Sequence, residues 1–121
     1  MYCVGVDIIE IKRIQQAIDR WGQRFFQRIY TKSELVLCKG KAEALAVRFA
    51  GKEAVMKALG TGTKGIKWRE IEIMAESSGK PLVQLYGKAK DKAIDLGLNN
   101  LAISLSHSKE YAIAFVVSEA K

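Results

Sequence analysis

The chain starts with an alternation of apolar and other residues. Val4, Val6 and Ile8 alternate with Gly5, Asp7 and Ile9, and this period of two predicts a first β-strand. From residue 10 onward the period changes to that of a helix. The apolar stripe of this predicted helix consists of Ile11, Ile14, Ile18 and Trp21. We therefore expect a strand that leads directly into a helix.

Three further helices are predicted in the first half of the chain. One covers residues 23–29, and Thr31-Lys32-Ser33-Glu34 has the capping-box pattern that starts a short helix ahead of Cys38. The strongest helical pattern runs from Lys41 to Leu59, and Gly60 is a natural C-terminal stop. The buried face of this longest helix is predicted to contain Ala42, Leu45, Ala46, Phe49 and Met56.

The second half of the chain is predicted to contain mainly paired strands. Residues 67–74 and 82–86 form two strands joined by a hairpin turn at 77–81, and a short helix at 89–96 ends at Gly97. Residues 101–106 and 111–118 form a second hairpin. This order of elements predicts an α+β fold with a largely antiparallel sheet packed against the long helix.

The length and composition favour one domain without a membrane span. A chain of 121 residues fits a single domain over residues 1–121. The longest wholly apolar stretch, residues 111–117, is far shorter than the roughly 20 residues of a membrane helix, and residues 1–4 do not resemble a secretory signal. Cys3, Cys38 and the lone His107 cannot make a usual zinc site. We expect a cytoplasmic protein with two reduced thiols.

The charge of the chain is strongly positive. The formal net charge is +7 at pH 7, so the protein is expected to attract a polyanion. Nucleic acid, an acidic membrane, an acidic protein and a phosphorylated small molecule all fit this charge.

Two acidic residues occupy positions where acids are unusual. Glu53 lies within the apolar face of the longest helix, between Phe49 and Met56, and an unpaired buried carboxylate is costly. Asp7 lies within a strand of Val, Gly and Ile, where Asp is disfavoured. The two carboxylates could share one Mg²⁺, which leaves its other positions to water and phosphate. The simpler alternatives are a Glu53–Lys57 helix pair and a helix N-cap at Asp7.

A glycine-rich loop at residues 60–65 follows the longest helix. Its spacing matches neither a P-loop nor a dinucleotide fingerprint, so by itself it indicates a flexible connection. Its open backbone would also let a ligand approach closely. Cations suited to several phosphates lie before and within the loop, namely Arg48, Lys52, Lys57 and Lys64.

Ser106 and His107 are neighbours at the end of a predicted strand. Adjacent strand residues point to opposite faces, so we reject a serine nucleophile activated by this histidine. A structural role is the simpler interpretation of His107.

The first helix has a basic side. Arg13, Arg20, Arg24 and Arg28 lie away from the Ile/Trp stripe if the helix continues to residue 28. A solvated face is the ordinary interpretation of such residues. A long face of nearly one sign instead indicates an acidic docking partner.

Together these segments resemble a known family. Two of them, Gly5-Val6-Asp7 and the run FAGKEAVMK at residues 49–57, look like the signature motifs of the 4′-phosphopantetheinyl transferase superfamily. The chain resembles the small holo-acyl-carrier-protein synthases of that superfamily over nearly its whole length. One departure is Gly51, where the family usually has alanine. Further matching segments are Val4–Ile14, Arg48–Ala50, Lys57–Gly62, Gly79–Pro81 and Ser104–Ser108.

The resemblance implies an enzyme that transfers the 4′-phosphopantetheine group of coenzyme A to a serine of apo-acyl carrier protein, for fatty acid biosynthesis. It implies a 4′-phosphopantetheinyl transferase fold assembled as a homotrimer, with active sites at the subunit interfaces. Asp7 and Glu53 would hold Mg²⁺, which would bind the pyrophosphate, and Lys57 would stabilise or protonate the departing 3′,5′-ADP. The base that takes the serine proton is either Glu53 or a metal-bound water.

The resemblance also implies contacts for both substrates. The acidic carrier protein would dock on the first helix, with Arg13 as the best-matched contact, and Arg20, Arg24 and Arg28 are added because of their charge. The residues expected to bind coenzyme A are Arg48, Lys57, Gly60, Thr61, Gly62, Lys80, Pro81 and His107.

Two other functions fit part of the pattern. A small basic nucleic-acid-binding module would explain the charge, but the chain has no recognised nucleic-acid motif, and its Tyr and Phe residues do not interleave with the basic helix. A catalytically silent trimer that only scaffolds carrier proteins is disfavoured by the intact Asp7, Glu53 and Lys57. We therefore expect neither nucleic acid nor a membrane as a partner.

Overall fold

A computed structural model describes residues 1–120 of the chain. Every helix and strand predicted from the sequence is present. The main boundary error lies at the second strand, which was predicted from residue 67, where the chain first makes a 3₁₀ turn at Trp68–Glu70. The elements are β1 (Tyr2–Glu10), α1 (Ile11–Trp21), α2 (Gln23–Ile29), α3 (Lys32–Cys38), α4 (Ala42–Leu59), β2 (Ile71–Ala75), β3 (Pro81–Leu85), α5 (Gly87–Asp95), β4 (Ala102–His107) and β5 (Tyr111–Glu119).

The strands form two antiparallel sheets. β5 is the central strand of a three-stranded sheet and pairs with β1 on one side and β4 on the other. β2 and β3 form a separate hairpin sheet. The α+β class with antiparallel strands is therefore confirmed, but the single predicted sheet is in fact two. The physical reason is that α4 is apolar on several sides and needs cover from more than one direction.

Helix α4 is the centre of the core. Of its 18 residues, 11 are buried, because the helix packs against β1, β5 and β4 of the larger sheet and also against β2. Ala114 and Val116 on β5 and Ile71 and Ile73 on β2 are completely buried beside it. A side chain on α4 is thus held in position from both sheets. None of the helices within residues 1–120 is long and apolar enough to cross a bilayer.

The face of the three-stranded sheet that points away from α4 is apolar and exposed. Ile8 on β1 is 61% exposed and Phe115 on β5 is 47% exposed. Val6 lies opposite Phe115, and Ile8 lies opposite Ile113, so the side chains form a continuous surface. We call this surface the outer face. Its members are Tyr2, Val4, Val6, Ile8, Tyr111, Ile113 and Phe115. Apolar patches of this kind mark interaction surfaces.

The departure at Gly51 has a packing explanation. A Cβ atom added to Gly51 would lie 2.3 Å from Cδ1 of Ile73 and 3.3 Å from Cδ1 of Ile103. The glycine therefore makes room for a β2 side chain that is itself completely buried.

We expect Gly51→Ala to lower the free energy of unfolding by about 1–2 kcal/mol, because overpacking outweighs the better helix propensity of alanine. Shortening the neighbour in Gly51→Ala/Ile73→Val should recover most of that loss, although Ile73→Val alone costs about 1 kcal/mol. Urea unfolding of the four proteins measures the coupling. Simple additivity of the two substitutions would contradict this explanation.

Candidate functional site

Strand β1 and helix α4 bring the two unusual carboxylates to one groove. Asp7 lies on the face of β1 that packs on α4, with 16% of its side chain exposed, and Glu53 is half-buried on α4. Both line a surface groove of about 430 Å³. The other lining residues are Ile8, Ile9, Arg13, Ile14, Ala17, Phe25 and Phe49. The sequence-predicted pairing of Asp7 with Glu53 thus corresponds to a shared site.

Gly5 explains why the strand and the helix approach so closely. A Cβ atom at this position would lie 1.9 Å from the backbone oxygen of Ala54 and 3.0 Å from the backbone nitrogen of Ala58. Only glycine lets two backbones meet at this distance. Asp7 is two residues further along the strand and so lies on the same face, next to the turn of α4 that carries Glu53.

The electrostatics of the groove favour a bound cation. Burial raises the pKa of the Glu53 carboxyl above its ordinary value, and the negative charge of Asp7 raises that pKa further, whereas Lys57 lowers it. A hard cation between the carboxylates would relieve this repulsion. Within residues 1–120, no set of three or more His, Cys, Asp or Glu side chains is grouped around a point. Two carboxylates could still hold Mg²⁺, which typically takes only one or two from the protein.

Lys57 pairs with the strand and not with its own helix. Its Nζ atom donates hydrogen bonds to the backbone oxygen of Val6 at 2.9 Å and to Oδ1 of Asp7 at 3.1 Å. The sequence alternative of a Glu53–Lys57 helix pair is therefore wrong. The side chain of Lys57 remains 52% exposed, so its ammonium group lies at the edge of the groove and faces solvent.

The residues expected to bind coenzyme A are dispersed over the subunit. Gly60, Thr61 and Gly62 follow the C-terminal end of α4, so this loop starts one turn beyond Lys57. Arg48 donates from Nε to the backbone oxygen of Ile73 on β2 at 3.1 Å. Lys80 and Pro81 lie at the β2–β3 turn, and His107 ends β4. None of these residues lines the groove of its own chain.

The arginines expected to contact a carrier protein flank the groove. Arg13 lines the same groove as Asp7 and Glu53. Arg24 and Arg28 line an adjoining groove that shares the walls Phe25 and Phe49 with the first.

Two of these arginines lie next to the apolar stripe, which the sequence did not predict. The guanidinium groups of Arg20 and Arg24 lie 5.0 and 6.0 Å from the ring centre of Trp21. Trp21 is 48% exposed, so it is a surface residue that the arginines cover. The prediction that the arginines lie away from the Ile/Trp stripe is therefore wrong at its Trp end.

One predicted phosphate ligand lies elsewhere. Lys52 has no exposed surface and forms an ion pair with the equally buried Glu34, with 2.7 Å between Nζ and Oε1. The sequence identified Glu34 only as a capping-box residue, a role that it does have. Its second role as the partner of a buried lysine carries no local sequence signal.

Comparison with known proteins identifies the family of the chain. A family model described as the 4′-phosphopantetheinyl transferase superfamily matches residues 3–116. The holo-[acyl-carrier-protein] synthase of Herpetosiphon aurantiacus is 51% identical over 124 positions, which cover 97% of this chain and 98% of the relative. That of Dehalococcoides mccartyi strain 195 is 52% identical over 119 positions, with coverages of 98% and 99%.

Solved structures show the same fold. The Helicobacter pylori holo-[acyl-carrier-protein] synthase in complex with coenzyme A superposes with a TM-score of 0.88 at 37% identity, covering 96% of this chain and 99% of that one. The Neisseria meningitidis enzyme superposes with a TM-score of 0.86 at 40% identity, with 96% of each chain covered. The chain described here therefore belongs to the holo-[acyl-carrier-protein] synthase family within the 4′-phosphopantetheinyl transferase superfamily.

Proposed function

We propose that the protein is a Mg²⁺-dependent holo-[acyl-carrier-protein] synthase that serves fatty acid biosynthesis in the cytoplasm. It transfers the 4′-phosphopantetheine group of coenzyme A to a serine of an apo-acyl carrier protein and releases 3′,5′-ADP. The observation that carries the proposal is the shared groove of Asp7 and Glu53, with Lys57 at its edge, in a chain 51% identical to such a synthase. Both sheets pack on α4, which supports a single domain over residues 1–121.

The groove residues have distinct parts in this reaction. The serine oxygen bonds to the β-phosphorus of coenzyme A as the bond from that phosphorus to 3′,5′-ADP breaks. Glu53, with its raised pKa, is suited to take the serine proton. Lys57 is fixed by Val6 and Asp7 and presents positive charge to the departing 3′,5′-ADP. Mg²⁺ held by Asp7 and Glu53 would bind the pyrophosphate and offset its charge.

The carrier protein is proposed to dock along α1 and α2. Arg13 in the catalytic groove and Arg24 and Arg28 in the adjoining one form a basic path, and Arg20 lies beside it on Trp21. An acidic carrier protein complements this charge. The shared walls Phe25 and Phe49 supply apolar contact between the two grooves.

The active form is proposed to be a homotrimer with sites at the subunit interfaces. The outer face gives each subunit an apolar surface to cover, and the number three comes from the family resemblance. Arg48, Lys80, Pro81 and His107 lie outside the groove of their own chain, which supports a coenzyme A site shared between subunits. A neighbouring copy would supply these residues.

We expect Phe115→Glu to convert the trimer into a monomer of 13.4 kDa, because the new charge would be buried without a partner in the interface. Light scattering after gel filtration measures the mass. The matched control is Ile94→Glu, which places the same charge at a residue on α5 that is 63% exposed and outside the outer face; it should keep the parent mass. A Phe115→Glu trimer would contradict the proposed interface.

The function itself is tested by incubating the protein with apo-acyl carrier protein, coenzyme A and Mg²⁺. Mass spectrometry should show that the carrier gains one phosphopantetheine and that chelation of the metal prevents the gain. If the folded protein binds coenzyme A but modifies none of several carriers, the acceptor assigned here is wrong.

A further inference from the structure

A buried ion pair connects helix α3 with helix α4 outside the proposed catalytic groove. The side chains of Lys52 and Glu34 have no exposed surface, and 2.7 Å separates Nζ from Oε1. Neither residue lines the groove of Asp7 and Glu53. The mechanism above does not use either charge, so the pair needs another explanation.

The pair joins three elements of the fold through hydrogen bonds. Lys52 Nζ also donates to the backbone oxygen of Ile71 and, at 3.2 Å, to that of Trp68. Glu34 accepts from the backbone nitrogen of Ile73 at 2.8 Å and from the N-cap nitrogen of α3 at 2.8 Å. Helix α4, the start of α3 and the start of β2 are therefore connected at one point.

Stability alone is a weak reason for such a pair. Two charges removed from water lose their hydration, and apolar side chains of similar volume often stabilise a fold as well or better. Directional hydrogen bonds differ from apolar contacts in that they specify one geometry, and buried polar groups are known to fix register in this way.

The geometry that the pair specifies extends to the groove. Lys52 is adjacent to Glu53 on α4, so a rotation of the helix that moves one residue moves the other. Trp68, whose backbone oxygen Lys52 binds, stacks its ring on Phe49 with 4.8 Å between the ring centres. Phe49 is a wall of the groove. The pair is thus linked to Glu53 through the backbone of α4 and to Phe49 through Trp68.

We propose that Glu34 and Lys52 form a positioning pair, which holds the rotation of α4 and the place of Trp68 so that Glu53 faces Asp7. This inference rests on the proposed function, because the geometry concerned is that of the proposed catalytic site. Because neither side chain has exposed surface, we expect neither to contact a substrate.

The test compares Glu34→Gln, Lys52→Met and the double variant with Val55→Ala. Val55 is a completely buried residue of α4 that has no polar side-chain atoms, so its variant controls for lost stability alone. The measurements are the melting temperature, kcat, and KM for coenzyme A in samples folded at the assay temperature. The fluorescence of Trp68 is followed in a Trp21→Phe background, where Trp68 is the remaining tryptophan.

We expect the pair variants to lose about 10- to 100-fold in kcat, with KM for coenzyme A within about twofold and a shifted Trp68 emission. Val55→Ala should lower the melting temperature but keep kcat and the Trp68 emission. The double variant should show the same loss in kcat even if its melting temperature returns to that of the parent protein. A folded double variant with the parent kcat would overturn the inference. So would a kcat that falls in proportion to the melting temperature in every variant, Val55→Ala included. Transfer by the parent protein, measured in parallel, upholds the proposed function in either case.

Discussion

Replacing Glu53 with Gln is expected to reduce the rate of transfer by about 10²- to 10⁴-fold. Gln keeps the shape of the side chain, but it cannot take a proton and is a poorer ligand for Mg²⁺. The fold should be unaffected, because Lys57 pairs with Asp7 and not with Glu53. Because the pKa of Glu53 is raised, the ionised carboxylate is less stable in the folded protein than in the unfolded chain. The neutral Gln side chain should therefore preserve or slightly raise the melting temperature.

Steady-state rates with apo-acyl carrier protein, coenzyme A and Mg²⁺ measure this effect, and thermal unfolding measures the stability. Glu43→Gln is the matched control, because Glu43 belongs to the first turn of the same helix and lies outside the groove. It should retain the parent rate. Full activity of Glu53→Gln would remove Glu53 from the catalytic machinery and with it the proposed site.

The second large effect is expected for Gly5→Ala. The added methyl group would lie 1.9 Å from the oxygen of Ala54, where ordinary contacts are 3.4–4 Å, and the obstacle is backbone that cannot rotate away. β1 and α4 must therefore separate. We expect a loss of about 3 kcal/mol in the free energy of unfolding. Because the separation also moves Asp7 away from Glu53, kcat should fall by about 100-fold even at temperatures where the variant is folded.

Chemical denaturation and rate measurements on the same samples separate the two consequences. Cys3→Ala is a suitable control, since Cys3 lies two residues before Gly5 on the same face of β1 and its substitution leaves the backbone contact intact. That variant should keep its kcat. A Gly5→Ala protein with parent kcat would show that the close approach does not set the distance between the two carboxylates.

Most of the secondary structure could be predicted because its signals are local. The capping box at Thr31 and Glu34 is present as predicted, with both reciprocal hydrogen bonds, and Gly60 adopts the left-handed conformation that ends α4. These features depend on residues three or four positions apart. The number of sheets was harder to predict, because it depends on which strands α4 holds apart.

The proximity of the two candidate carboxylates could also be predicted from the sequence, since an acid in an apolar setting is a local anomaly. Asp7 and Glu53 line one groove, although their roles as metal ligands stay a prediction. Lys52 was misplaced among the phosphate ligands because its partner Glu34 is 18 positions away. The alternative pair of Lys57 with Glu53 was wrong because a helical wheel shows neighbours on one helix and omits the strand beside it.

The apolar alternation of β1 identified a strand but not its orientation. The small and polar residues Gly5 and Asp7 face α4, while Val4, Val6 and Ile8 form part of the outer face. In an isolated subunit the apolar residues would be expected inside. At Gly5 the inversion follows from the close contact with α4, which leaves no room for a side chain, whereas Ile9, further along the same face, packs against the core.

The pairing of the first strand with the last also affects how the protein folds while it is being synthesised. The strand partner of β1 is β5, where the register partner of Asp7 is Ala114. Contacts this distant along the chain form slowly, because a long loop must close first. A nascent chain on the ribosome can form its helices early, yet the three-stranded sheet that contains Asp7 is completed only after residues 111–119 have emerged.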